Sequence, residues 1–561
     1  MVAKCSPVET RAQDGALVAA CRLEGLQDKL PLRWPTPPNT PPSPKKRYRS
    51  HYTYQGWEAL EDPEFLTHST AFDLLLRLVD FSPLRPVLAH LLGWTSARGQ
   101  VPFDPLSLFL FLGWQITQGW NRSRALRALH EPRYADYARL FGFSGQVFPT
   151  EGGIRYFLTA LGRCPPTPQE GRCAQTEDIA WHRLNQLLAQ SISLIRQAGV
   201  LSPQAWQQGL LCPDGMLHQA ASHGRCHHVT DTCYHPTSAQ APRPCPAKEK
   251  GRRGCDCESF KCVQICRQAP ARDPQARYVY YRGHNRPKSP NAPAALDPQK
   301  PPKGKGVYGY RSLPLQLIDA SRRFSLVLAN HVQPANLPEA ESVAALLGQL
   351  PQRYPSLQVQ AVAGDAAFGQ EPVLQTIYQV LQARRLIDLR AHATDRDQAR
   401  WPLRGYNDRG RPVCPFGYAL SANGFDGARQ RHKWICRQAC RRGKKPLVAL
   451  ASTRYPPTEC PYAAPDRPHG LILNVGLCFP DGSTRLVRDL PVGTPTWKRF
   501  YHRARNAVEG RNAAFEAWNL KRSPVYGLPR TTATIFQADL WLNLTTMARL
   551  VREATLANRV T

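Results

Sequence analysis

Two apolar runs in this chain stop at an aspartate, and no other feature constrains the fold as tightly. Leu210-Leu211-Cys212-Pro213 leads to Asp214-Gly215, and Val359-Gln360-Ala361-Val362-Ala363-Gly364 leads to Asp365-Ala366-Ala367. Short apolar runs bounded by small or turn-forming residues read as buried strands. Each carboxylate then stands at a strand end beside residues too small to screen it. A third acid, Glu509, falls in a helical run from Tyr501 to Leu520, one turn after Arg505. Taken singly, an Asp-Gly is an ordinary turn and an Arg-Glu pair an ordinary surface ion pair. Together, two carboxylates at strand ends and one on a late helix suit hard divalent cations, which take oxygen ligands. A pair of such metals is one way to activate water or a 3′-hydroxyl for in-line attack on a phosphodiester.

The bulk properties agree with a polyanionic partner. The chain has 561 residues with 73 Lys/Arg against 42 Asp/Glu, a net charge of +31. The excess is concentrated: from Arg384 to Lys445 there are 16 Lys/Arg and 5 Asp/Glu. Nucleic acid is the simplest partner, because neutralising phosphates releases counterions. A hydrophobic content of 42% is enough for packed cores and excludes a disordered tail protein. No run of about 18 apolar residues predicts a membrane span. The first residues lack the basic start and apolar core of a secretion signal, so a reducing, cytoplasmic setting is expected.

The chain reads as five regions. Residues 1–56 form a Pro-rich arm, with Pro35 to Pro44 as a polyproline-type linker running into Lys45-Lys46-Arg47-Tyr48-Arg49. Residues 57–200 read as helical: Phe72 to Val79 has helix spacing, and Leu106 to Leu112 is apolar nearly all round, which predicts a buried helix. Asn121 to Arg127, Tyr134 to Phe141 and Glu151 to Leu161 follow, the last capped by Thr150. This short-helix series is compatible with a helix-turn-helix type DNA contact through Arg122 and Arg124, and equally with a plain bundle whose arginines face water. A longer helix, Asp178 to Gln197, precedes the first strand. Residues 201–221, 307–383 and 497–552 read as an α/β core. Within it Val307 to Arg311 and Leu313 to Ile318 are strands, Arg322-Arg323 turns a hairpin into Phe324 to Ala329, and Glu339 to Leu350 is a helix. Residues 222–306 and 384–496 are insertions.

Most of the 17 cysteines lie in those insertions. Cys226, His227, His228, Cys233, His235, Cys245, Cys255, Cys257, Cys262 and Cys266 place ten potential ligands within 41 residues. Cys255, Cys257, Cys262 and Cys266 are the densest part, and one zinc site is expected there. Cys414, Cys436, Cys440 and Cys460 form a second set. Cys414-Pro415-Phe416-Gly417 has the form of a metal knuckle, and both a four-cysteine zinc ribbon and a set of buried thiols are compatible with the spacing.

The Gly364-Asp365-Ala366-Ala367-Phe368-Gly369 motif and the tail from Trp497 to Glu509, with Leu520-Lys521 and Leu528-Pro529-Arg530, resemble a bacterial insertion-sequence transposase of the DDE type. The resemblance spans roughly residues 65–550. It implies an α/β, RNase H-like mixed sheet core with an N-terminal all-α region and Cys-rich insertions. It implies Asp214, Asp365 and Glu509 as the catalytic triad holding Mg²⁺ or Mn²⁺. Lys498, Arg503, Arg505 and Lys521 become DNA contacts. The partners implied are double-stranded DNA, as terminal inverted repeats and target, and a second copy of the chain, in a bacterial cytoplasm at the nucleoid. Many relatives carry Tyr-x-x-Arg-x-x-x-Glu-x-x-x-x-x-x-Lys on the last helix. Here Arg505 and Glu509 match, while His502 stands at the Tyr position and Glu516 at the Lys position. Glu516 is therefore a rival third acid, disfavoured because it sits beside Phe515 and Trp518 with no basic neighbour. Two other readings remain: a catalytically inactive DNA-binding zinc protein derived from a transposase, and a stand-alone nuclease.

Overall fold

The computed structural model describes residues 29–36, 47–94, 101–143, 147–163, 183–222, 273, 275–281, 305–387, 405–406, 411–426, 428–429, 431–447, 460, 470–476 and 495–560. Over these residues the chain is mixed α/β and divides into two compact units. Pro37 to Pro44 of the Pro-rich linker, and Cys255, Cys257, Cys262 and Cys266, lie outside the described residues.

The first unit takes in residues 1–157, 186–203 and 537–561. Its described part is mainly helical: α1 (Ala71–Leu78), α2 (Leu84–Leu91), α3 (Pro105–Thr117), α4 (Arg122–Ala128) and α5 (Ala135–Leu140). It also holds α6 (Glu151–Leu161) up to residue 157 and α7 (Arg183–Gln197) from residue 186. Polar residues start these helices by accepting otherwise unpaired N–H groups. Thr70 and Asp73 form a capping box on α1, Asp104 caps α3 ahead of Pro105, and Asn121 caps α4. Thr150 caps α6 by accepting the Gly153 N–H at 3.2 Å, as its sequence position predicts. α3 is buried from Pro105 to Ile116, as expected of a helix apolar on every side. A late helix, Leu528–Val560, contributes its part from residue 537, and its Trp541 packs against Phe72, Phe81 and Phe109.

The second unit, residues 158–185 and 204–536, holds the sheets. Its strands are β1 (Gly209–Pro213), β2 (Met216–Gln219), β3 (Arg277–Tyr281), β4 (Lys305–Ser312), β5 (Leu315–Asp319), β6 (Phe324–Ala329), β7 (Val332–Pro334), β8 (Val359–Gly364) and β9 (Arg384–Ile387). The main sheet has the order β9-β8-β1-β5-β6. β1, β5 and β6 run antiparallel to one another in turn, while β8 is parallel to β1 and β9 parallel to β8. β5 and β6 form the expected hairpin. Arg323 takes φ 58° in its turn, and Asp319 Oδ1 accepts the Ser321 and Arg322 N–H groups. In a second sheet, β4 pairs antiparallel with β2, β3 and β7. A third sheet joins β10 (Ser421–Asp426), β11 (Arg431–Ile435) and β12 (Ile472–Gly476) in antiparallel order.

The helices set around the main sheet include α8 (Glu339–Gly348), α9 (Glu371–Gln379) and α10 (Pro495–Ala517). α10 lays Trp497, Ala504 and Val508 onto Leu210, Cys212, Ile318, Ala361, Ala363 and Leu386. It thus crosses strands β1, β5, β8 and β9 with its apolar stripe, leaving its other faces to polar side chains. The sequence predicts this helix over Tyr501 to Leu520, whereas it starts at Pro495 and stops at Ala517; Asn519, with φ 58°, cannot continue it.

Candidate active site

β1 and β8 are parallel neighbours, with Leu210 opposite Ala361 and Leu211 opposite Val362. Carried forward three residues, that register sets Asp214 level with Asp365. The two acids therefore leave adjacent strands at their carboxyl ends, and such strands lie about 4.8 Å apart. In open α/β sheets this is the edge at which ligands bind.

Local chemistry fixes each acid. Asp365 Oδ1 accepts the Ala367 N–H at 2.9 Å, starting a 3₁₀ turn over Ala366–Phe368, and Phe368 is fully buried beneath it. Asp214 is buried, and both of its oxygens are engaged from α10. The Arg505 guanidinium donates to Oδ1 at 3.0 Å and the Asn512 amide to Oδ2 at 3.0 Å. Arg505 thus pairs with Asp214 across the unit rather than with Glu509 on its own helix. Glu509 is exposed on α10, four residues after Arg505 and three before Asn512; the charges that act on Asp365 are those of Arg505 and Asp214, and among the described residues the three predicted acids are not gathered into one group.

A further acid belongs here. Glu339 opens α8, pairs with Arg311 at 2.7 Å, and lies over Gly215: a Cβ on that glycine would fall 2.8 Å from Glu339 Oε2. Gly215 is small because a neighbouring carboxylate occupies the space. Sequence reading misses Glu339, because an acid in the first turn of a helix is the ordinary complement of the helix dipole. It misses Asn512 too, although its seven-residue spacing from Arg505 puts both on one helix face.

Charge in the site is unbalanced toward the negative. Burial raises the Asp365 carboxyl above its ordinary value; the Ala367 N–H and the Arg505 charge oppose this and the Asp214 charge adds to it. Burial likewise raises Glu339, opposed by Arg311 and reinforced by Asp365 and Asp214. Burial works against the Arg505 charge, but Asp214 outweighs it and holds the guanidinium above its usual value. Clustered hard oxygen donors with too little cationic compensation are the donor set that Mg²⁺ or Mn²⁺ takes. Among the described residues, however, no three His, Cys, Asp or Glu side chains are gathered tightly enough to hold a metal ion in this conformation.

The expected DNA contacts fall in different settings. Lys498 and Arg503 are exposed on α10. Lys521 is exposed and forms an ion pair with Glu516, so the rival acid has a basic partner after all. Arg124 pairs with Glu131 at 2.8 Å and stacks over Trp120, which makes it part of the first unit's own packing. Arg122 is half-buried.

Cys414, Cys436 and Cys440 are free thiols in the second unit, which also holds Cys460. Among the described residues no helix is long and apolar enough to cross a membrane. Models of known protein families, curated proteins and solved structures yield no match to this chain.

Proposed function

We propose that this chain is a DDE-type DNA transposase whose second unit is an RNase H-like catalytic core. One observation carries the reading: Asp214 and Asp365 are level at the carboxyl ends of adjacent parallel strands, with α10 set across them. The order β9-β8-β1-β5-β6, antiparallel among β1, β5 and β6 and parallel among β1, β8 and β9, supports the RNase H-like assignment. Asp214, Asp365 and Glu509 would hold the divalent ions, with Glu339 beside them. Bound there, such ions would acidify the attacking hydroxyl and offset charge on the scissile phosphate.

The chain's own residues supply position and charge. Lys498, Arg499, His502 and Arg503 line the wet side of α10 and hold the DNA backbone alongside Glu509. Arg505, released from Asp214, takes a phosphate oxygen. Asn512 keeps the other Asp214 oxygen oriented. Water, and then the freed 3′-hydroxyl, is the nucleophile, so no side chain forms a covalent bond to DNA. Two copies would bridge paired element ends.

A second reading is favoured by a specific observation: Arg505 and Asn512 already satisfy both Asp214 oxygens. A DNA-binding protein that no longer cuts would look the same. Strand-cutting and strand-joining assays on duplexes bearing the DNA sequences on either side of the coding region decide between them. The transposase reading expects Mg²⁺-dependent cut and joined products from the natural chain, and from Asp365→Asn a loss of roughly a hundredfold or more in cutting with DNA binding retained. Cutting that survives Asp365→Asn sinks the site. Cut products without joining would leave a nuclease.

A further inference from the structure

A closed turn in the basic insertion carries cations that the proposed cutting site does not use. Between Arg411 and Leu447 the sequence holds nine Lys/Arg and one acid, Asp426, which pairs with Lys433 at 3.9 Å. The turn follows β11 and runs from Arg437 to Lys445. Arg437, Arg441, Arg442, Lys444 and Lys445 are all exposed on it. Among the described residues Arg437, Arg442, Lys444 and Lys445 form no ion pair. Like charges so close in the chain repel, yet the backbone holds them together. The Arg441 and Arg442 N–H groups donate to the Gln438 carbonyl at 3.0 and 3.3 Å, and the Lys444 N–H donates to the Ala439 carbonyl at 3.1 Å. Gln438 takes φ 51° and Gly443 φ 68°, which bend the chain at either end of the turn. Cys440, between them, is buried with Cys414 and Tyr418, and the Leu447 N–H donates to the Gly417 carbonyl at 2.8 Å.

We propose that this turn is a docking surface for the phosphodiester backbone of duplex DNA, distinct from α10. The inference rests on reading the chain as one that handles DNA, and it adds a place where the duplex is held outside the cutting site. Three features select this partner. Uncompensated cations on a folded turn repel one another in the free chain, and a polyanion that sheds counterions on binding removes that repulsion. A turn ordered by its own hydrogen bonds presents those charges with little backbone freedom left to lose on binding. Lys444 and Lys445 suit phosphate, whereas lysine is depleted at interfaces between proteins.

The neighbouring rings favour a duplex over a single strand. Tyr418 is buried and Phe416 partly buried, both packed with Cys414 and Cys440, so neither is presented for a base to stack on. A Cβ on Gly443 would meet no atom within 4 Å beyond its chain neighbours, so this part of the turn is open to an approaching backbone. Contacts of this kind read charge and not sequence: the turn contributes grip and orientation, and base reading falls to other residues.

Binding of the full-length chain to one arbitrary duplex, followed by fluorescence anisotropy across a salt series, tests it. Arg442→Gln, Lys444→Gln and Lys445→Gln are combined in one variant. Its slope of log affinity against log salt is expected to be shallower by about 0.9 per lost phosphate contact, roughly 2.7 in all, with Tm unchanged. A control removes the same charge elsewhere through Arg133→Gln, Arg139→Gln and Arg549→Gln, exposed arginines that already pair with acids, and is expected to keep the natural slope. Lys444→Arg with Lys445→Arg preserves the charge and is expected to keep it too. An unchanged slope in the Gln variant, or an equal drop in the control, overturns the proposal and leaves the DNA-cutting reading in place. A natural chain with no affinity for duplex removes both. Duplex binding retained by the Gln variant while binding to vesicles of anionic phospholipid is lost would assign the turn to a membrane surface and overturn the proposal as well. Should the triple variant fail to fold, Lys445→Gln alone decides, with an expected drop of about 0.9.

Discussion

His218 shows how one side chain governs the position of the helix that carries Arg505 and Glu509. It is fully buried on β2, with Nδ1 2.9 Å from the Leu520 carbonyl and Nε2 2.8 Å from Ser312 Oγ. A carbonyl only accepts, so Nδ1 carries the proton and Nε2 accepts from the serine. Beside it Arg511, also buried, reaches Ser312 Oγ at 3.5 Å and lies over Phe515. This polar knot pins the end of α10 to the second sheet. Burial pushes His218 down to about 4, opposed by the Leu520 carbonyl and aided by the Arg511 charge. An unfolded histidine titrates near 6.5. As pH falls from about 6.5 to 4, the unfolded chain takes up a proton that the folded chain refuses, so stability drops by roughly 3 kcal/mol over that window. His218→Gln is expected to flatten the window, measured as unfolding free energy against pH. An unchanged slope would show that another group sets it.

The elements place this chemistry. β1 and β8 are legible as strands because both are apolar and end in acids. Their adjacency is not, because nothing local says which strands pair. α10 is legible from its apolar spacing, and its dry stripe fixes which residues point at the strand ends. Within the first unit, α3 tests how far packing outweighs propensity. A Cβ on Gly113 would fall 2.1 Å from Cε2 of the fully buried Trp541. Alanine gains about 1 kcal/mol over glycine in a helix interior. The indole has neighbours on several faces, so it cannot turn away, and overpacking costs about 1–3 kcal/mol. Gly113→Ala is therefore expected to lower the Tm of the first unit, and a higher Tm would show that the helix shifts to make room.

At the scale of the whole molecule, net charge dominates. A surplus of +31 repels itself in dilute salt and rewards any polyanion that neutralises it. Binding to an arbitrary duplex is expected to weaken on the order of a hundredfold or more between about 50 and 200 mM salt. Fluorescence anisotropy across that range measures it; an affinity insensitive to salt would remove phosphate neutralisation from the account.

Charge, the buried character of α3, the hairpin after Asp319 and the strand-end positions of Asp214 and Asp365 were all written in the sequence. Each depends on composition or on neighbours within a few residues, where periodicity and turn chemistry act. The tertiary structure alone decided that the two aspartates stand level, that Arg505 and Asn512 grip Asp214, that Glu339 joins them over Gly215, and that Cys414 packs with Cys440. Those contacts close loops of tens to hundreds of residues, and the pairing energies that select them arise only once the sheet and its covering helix are assembled.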